Sequence, residues 1–177
     1  MTEIKNKPYT MAILSGLAYG EPSEVSKKFR KHGFHSNKYC SKNGAQCYIV
    51  WNDTDAVICF RGTEPKEMSD IKADLNAIQR QGLHNKGDVH GGFQGEINKL
   101  WDLIVEKIDE LKDHKIYITG HSLGGAMATI CAKRLQEQKV EVQCLYTYGS
   151  PRVGDRRWVK SLQIPHYRFQ NNNDVVC

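Results

Sequence analysis

The sequence predicts an α/β protein, with a mostly parallel sheet carrying helices on both faces. Three observations predict it. Ala56-Val57-Ile58-Cys59-Phe60 is a near-continuous apolar run, the pattern of a strand buried on both faces. Ile116-Tyr117-Ile118-Thr119, β-branched and aromatic, leads through Gly120-His121-Ser122-Leu123-Gly124 into Leu123 to Leu135, rich in helix formers. Over the second half of the chain, strand patterns alternate with helical ones, as parallel strands require.

The elements follow in order. Met11, Leu14, Leu17 and Ala18 share one face at helical spacing, and Val25 and Phe29 continue it, so residues 8–32 read as helical. Tyr39 to Cys40 and Gln46 to Trp51 form a hairpin around Asn43-Gly44, a strong two-residue turn signal. Counting back from that turn sets Cys40 opposite Cys47, so a disulfide is geometrically possible there, although reduced thiols are expected in a reducing compartment. Asn52 to Asp55 is a turn before the Ala56–Phe60 strand. Phe93, Ile97, Leu100, Ile104, Ile108 and Leu111 recur every three or four residues, a long amphipathic helix. After the Ile116 strand and its helix come a strand over Val142 to Tyr148, a loop over Gly149 to Asp155, a helical segment near Trp158 to Leu162, and a strand over His166 to Phe169.

The 177 residues are enough for one domain with a real core, here read as 1–177, and 40% hydrophobic with 25% charged residues is ordinary globular composition. The net charge of +5 is mild and scattered. Lys27-Lys28-Phe29-Arg30-Lys31 is the dense basic run; it reads as a solvated helix face rather than a nucleic-acid site, and its charge also suits peripheral contact with an anionic lipid surface. No stretch approaches the ~20 apolar residues that span a bilayer. Met11 to Leu14 is too short for a signal-peptide core, so a cytoplasmic location is expected. Cys59, Cys131 and Cys144 fall inside apolar patterns as buried thiols. No cysteine spacing suits a zinc site, and neither metal nor cofactor is expected.

The chemistry centres on Ser122. A G-x-S-x-G pentapeptide between a strand and a helix is the setting of a nucleophile elbow, with the serine at the carboxyl end of the strand and at a helix N-terminus that favours negative charge. A serine hydroxyl is a poor nucleophile without a base, an orienting group and donors for the developing oxyanion. The N–H of Leu123, next in the chain, is one expected donor. Thr63, in the loop after the Ala56–Phe60 strand, is the second candidate, though Thr followed by acidic residues is also a common helix cap. For the orienting acid, Asp174 lies just past the His166–Phe169 strand, on the sheet edge where Ser122 sits; Asp155 competes from the preceding loop, where pairing with Arg152 or Arg156 is its bland alternative, as an Asx turn is for Asp174.

Phe60-Arg61-Gly62-Thr63, Val89-His90-Gly91-Gly92-Phe93, Thr119 to Gly125, Tyr148-Gly149-Ser150-Pro151-Arg152-Val153-Gly154-Asp155 and Asn173-Asp174-Val175-Val176 occur in the order and rough spacing of the class 3, fungal-type lipases, which the chain resembles from about residue 45 onward. The resemblance implies an α/β-hydrolase fold and cleavage of carboxylic esters, typically acylglycerols, by a Ser-Asp-His triad. It implies Ser122 as nucleophile, Asp174 as the acid, Thr63 and Leu123 as the oxyanion hole, His90 as a structural histidine, and a lid between Glu64 and Gly87. The lid candidate, Glu64 to Ile71, is polar, with only Met68 and Ile71 strongly apolar, which favours an esterase or phospholipase over a triglyceride lipase. The expected partner is a lipid or small ester substrate.

One member of the triad is missing from the order Ser, Asp, His. Only Val175, Val176 and Cys177 follow Asp174, and the seven histidines all lie upstream. The chain therefore reads as an α/β-hydrolase lacking its C-terminal part, with little ester turnover expected of these residues alone. A truncated or inactive relative, acting as a non-catalytic lipid- or protein-binding module, is the alternative; a peptidase or thioesterase on the same fold is a third.

Overall fold

The computed structural model describes residues 4, 7–62, 79–81 and 88–170. Its first two helices are α1 (Lys7–Leu17) and α2 (Pro22–Lys31), and the hairpin strands are β1 (Ser36–Lys42) and β2 (Ala45–Trp51). Asn43 and Gly44 both adopt positive φ, 50° and 87°, the signature of a type I′ turn, and the register sets Cys40 opposite Cys47 as counted from sequence. β3 (Asp55–Phe60) is buried at every position. A small ladder pairs β4 (Gln79–Gln81) with β5 (Asp88–His90). There follow α3 (Gly91–Glu110), β6 (Lys115–His121), α4 (Leu123–Glu137), β7 (Val142–Tyr148), α5 (Arg156–Lys160) and β8 (His166–Phe169).

The main sheet runs β1-β2-β3-β6-β7-β8. The pairs β1–β2 and β2–β3 are antiparallel; β3–β6, β6–β7 and β7–β8 are parallel. Alternation along the strands sends side chains to two apolar clusters. Ile49, Ile58, Phe60, Ile118 and Leu145 pack with α3 and α4 on one face, while Tyr48, Val57, Cys59, Tyr117 and Tyr146 pack with α1 and α2 on the other. The α3 stripe from Phe93 to Ile108 is buried as its spacing predicts. α4 is buried almost all round, which is why its apolar pattern is continuous rather than striped. Even Lys133 is only 3% exposed; its Nζ donates to Ser161 O at 2.8 Å and lies 3.6 Å from Glu137.

Two boundaries differ from the sequence reading. β6 continues through Gly120 and His121, and α5 starts at Arg156 rather than near Trp158. The helix starts early because Asp155 caps it, accepting from Trp158 N–H at 2.6 Å. The basic run on α2 is solvated at Lys27, Lys28, Arg30 and Lys31, with Phe29 turned into the core. Cys40, Cys47, Cys59, Cys131 and Cys144 are buried free thiols. The hydrogen bond with the Cys40 thiol, and then burial, push the Cys47 thiol well up; burial alone raises Cys59, and burial takes Cys131 to about 12. No described helix is long and apolar enough to cross a membrane.

Candidate active site

Because β3, β6, β7 and β8 are parallel, their carboxyl ends bring together Arg61-Gly62, the β6–α4 turn and the Gly149–Asp155 loop. Ser122 is the whole of that β6–α4 turn. Its backbone sits at φ 55°, ψ −128°, a conformation that costs a non-glycine residue ~1–3 kcal/mol. Its N–H donates to Tyr148 O on β7 at 2.9 Å, and its carbonyl accepts from Gly125 N–H at 2.9 Å. The strain is thus held from both sides. Ser122 is 5% exposed, at the N-terminus of a buried helix.

The glycines serve close approach, not conformation. A Cβ on Gly120 would lie 2.2 Å from Gly124 O, and one on Gly124 would lie 2.4 Å from Phe60 O. Helix α4 therefore starts in direct contact with the backbone of two neighbouring strands. That contact fixes where Leu123 begins: as first residue of α4, its N–H is among those a helix leaves without an intrahelical acceptor. This is the placement expected of an oxyanion donor beside Ser122.

Thr63 and Asp174, the other predicted site residues, lie outside the described residues, as do the lid candidate Glu64–Ile71, His84 and the His90 side chain. Asp155 is engaged as the cap of α5. The remaining histidines are distributed around the sheet. His114 precedes β6, at the opposite end from Ser122, with Nε2 3.0 Å from Asn52 O. His166 opens β8 level with Leu145, which pairs with Ile118, so it stands four residues, about 13 Å along the strand direction, short of Ser122. Its Nε2 is 2.8 Å from Thr147 Oγ1; the residue is exposed at the sheet edge, and partial desolvation of the ring together with the Arg168 charge lowers its pKa to about 4. His32 and His35 follow α2 and precede β1, whose Ser36 lies at the amino end of the β3 register. His121, adjacent to Ser122, places Nδ1 2.9 Å from the hydroxyl of Tyr19.

A cavity of about 340 Å³ opens beside β8, lined by Ser150, Arg152, Trp158, His166 and Arg168 among others, and Ser122 is not in its wall. Among the described residues no group of three or more His, Cys, Asp or Glu is placed to hold a metal ion.

A strained serine between a parallel strand and a buried helix, locked by glycine contacts to β3, is the arrangement expected of a hydrolase elbow. Residues 57–177 match the family described as Lipase (class 3). The chain belongs to that family. It is 34% identical over 174 residues to Toxin TseL of Vibrio cholerae, covering 75% of this chain and 27% of the toxin. It is 30% identical over 152 residues to Lipase ZK262.3 of Caenorhabditis elegans, covering 77% of this chain and 42% of that one. The triacylglyceride lipase of Rhizomucor miehei superposes with a TM-score of 0.78 at 23% identity, covering 97% of this chain and 72% of that one, which shows the shared α/β-hydrolase fold. The chain thus spans less than half the length of these two curated relatives.

Sequence reasoning did not single out Tyr19. An aromatic residue just past a helix, before Gly20, carries no local signal; only the fold brings it to His121.

Proposed function

We propose that the protein is a serine carboxylic-ester hydrolase of the class 3 lipase type, cleaving acylglycerol or related lipid esters through an acyl-enzyme on Ser122. The observation that carries this is the strained backbone of Ser122, φ 55°, at the first turn of α4. Strain on a serine costs stability at a place where glycine would not, and it is retained where the hydroxyl itself is needed.

The chemistry follows from the placement. Ser122 Oγ attacks the ester carbonyl and loses its proton to a histidine base. The carbonyl oxygen takes up negative charge at the α4 N-terminus, facing the Leu123 N–H, with Thr63 as the second donor on the strength of its Arg-Gly-Thr motif. The alkoxide leaves with a proton, and water then releases the fatty acid from Ser122. Asp174 is assigned the orienting acid by its motif. His32, His35, His114 and His166 are all placed away from Ser122, so none of these four is the base. The family also supports contact with a lipid interface, for which the solvated basic face of α2 is suited.

The test is covalent capture. In the full-length protein, a fluorophosphonate is expected to add once, on Ser122, by intact mass and peptide mapping, and Ser122→Ala is expected to abolish the adduct. Equal labelling of both proteins would overturn Ser122 as nucleophile and leave the binding-module reading.

A further inference from the structure

The family match begins at residue 57, yet one contact at the elbow comes from residue 19. The Tyr19 hydroxyl lies 2.9 Å from His121 Nδ1 and 3.4 Å from His121 O, with the two rings 5.9 Å apart and tilted by 58°. It also covers Gly62: a Cβ there would stand 2.2 Å from the Tyr19 hydroxyl and 2.6 Å from His121 O. One phenol tip therefore touches the last residue of β6, just before Ser122, and the exit of β3, just before Thr63.

The segment bearing Tyr19 is fixed on both sides. Before it, Met11, Leu14 and Ala18 are buried against the sheet, and Thr119 Oγ1 of β6 donates to Met11 O at 3.1 Å. After it, the Tyr48 hydroxyl donates to Gly20 O at 2.8 Å, and a Cβ on Gly20 would lie 2.4 Å from Val25 Cγ2. Tyr19 is half-buried, so its ring is supported while its hydroxyl reaches the mouth of the site.

We propose that Tyr19 is a positioning residue for Ser122, its hydroxyl setting the separation between the elbow and the exit of β3. The proposal rests on the reading of Ser122 as nucleophile. An oxyanion shared between a donor on the elbow and one on the β3 exit is held only if that gap is fixed, and misplacement by about 1 Å costs up to ~10²-fold in rate. Gly62 has no side chain of its own to hold the gap, and Tyr19 occupies the space a side chain there would need.

The test uses the full-length protein, with its general base, and the second-order rate of Ser122 phosphonylation by a p-nitrophenyl alkylphosphonate, followed by intact mass. Tyr19→Phe keeps the ring and removes the hydroxyl; it is expected to melt near wild type and to label about five- to tenfold more slowly. His121→Ala is expected to slow labelling similarly, and the double variant to be no slower than either single one. His121→Asn, which keeps an acceptor oxygen near the place of Nδ1, is expected to restore most of the rate, which a loss of general stability would not allow. Wild-type labelling in Tyr19→Phe, or additive losses in the double variant, would overturn the proposal while leaving Ser122 as nucleophile. Wild type labelling no faster than Ser122→Ala would instead remove the nucleophile reading, and the role of Tyr19 with it.

Discussion

Substituting Gly124 by Ala tests whether close backbone contact builds the elbow. The new Cβ would lie 2.4 Å from Phe60 O and 3.0 Å from both Arg61 C and Gly62 N. All three are backbone atoms at the end of a central strand, so no side chain can swing away. Ordinary contact begins at 3.4 Å, so α4 must retreat by about 1 Å, the difference from 2.4 Å. Overpacking of this kind costs ~1–3 kcal/mol, less up to ~1 kcal/mol that alanine returns as a better helix former. The net cost is ~0–3 kcal/mol, so for a chain of this length the melting temperature should fall by up to roughly 12 °C. The retreat carries Ser122 and Leu123 away from the β3 exit, so labelling by a phosphonate should fall by up to ~10²-fold. Gly95→Ala is the matched control, since Gly95 lies inside α3 with nothing within 4 Å of its Cβ position. It should leave labelling unchanged and stabilise by ~0.5–1 kcal/mol. A Gly124→Ala variant that melts and labels like wild type would refute the reasoning.

Further outcomes follow from the same geometry. Ser122→Gly should unfold at higher denaturant than Ser122→Ala, by ~1–2 kcal/mol, because glycine accepts φ 55° without strain; equal midpoints would deny that strain. His166 stays neutral in the fold down to about 4, while in the unfolded chain it takes a proton near 6.5. Its contribution to stability is therefore full above 6.5 and lost as pH falls from there towards 4; His166→Gln should show a smaller loss between pH 7 and 4.5 in denaturant titrations. Cys47, Cys59 and Cys131, buried and held neutral, should resist iodoacetamide in the native chain at pH 8 and react only in denaturant, read by peptide mass.

Much of the fold was legible because each element carries its own period. The hairpin register came from Asn43-Gly44, the α3 stripe from spacings of three and four, and β3 from a run too short for a helix and apolar on both faces. The limits of β6 and α5 were less legible for two different reasons. Gly120 and His121 look like turn residues, but Gly120 is there so that α4 can cross the strand, a tertiary demand that local propensity does not report. Asp155 looked like a rival triad acid, and the hydrogen bond to Trp158 N–H shows that its position is explained by capping.

The elbow serine and its neighbours differ in the same way. Ser122 was legible because strand, pentapeptide and helix are contiguous, so one window of sequence contains the whole device. Tyr19 was not, because its partner His121 is 102 residues away and nothing in either local pattern points to the other. What joins them is the burial of α1 on the sheet face opposite α4: Met11 and Leu14 pack there for ordinary hydrophobic reasons, and the chain then turns at Gly20, held by Tyr48, at the height of the elbow. The hydrophobic pattern of the first helix thus fixes a hydroxyl beside His121. A substitution that loosens α1, such as Leu14→Ala, should cost ~2–5 kcal/mol as a fully buried side chain lost from the core. It should also slow phosphonylation of Ser122 even under conditions where the chain remains folded, and wild-type labelling in that folded variant would separate α1 from the site.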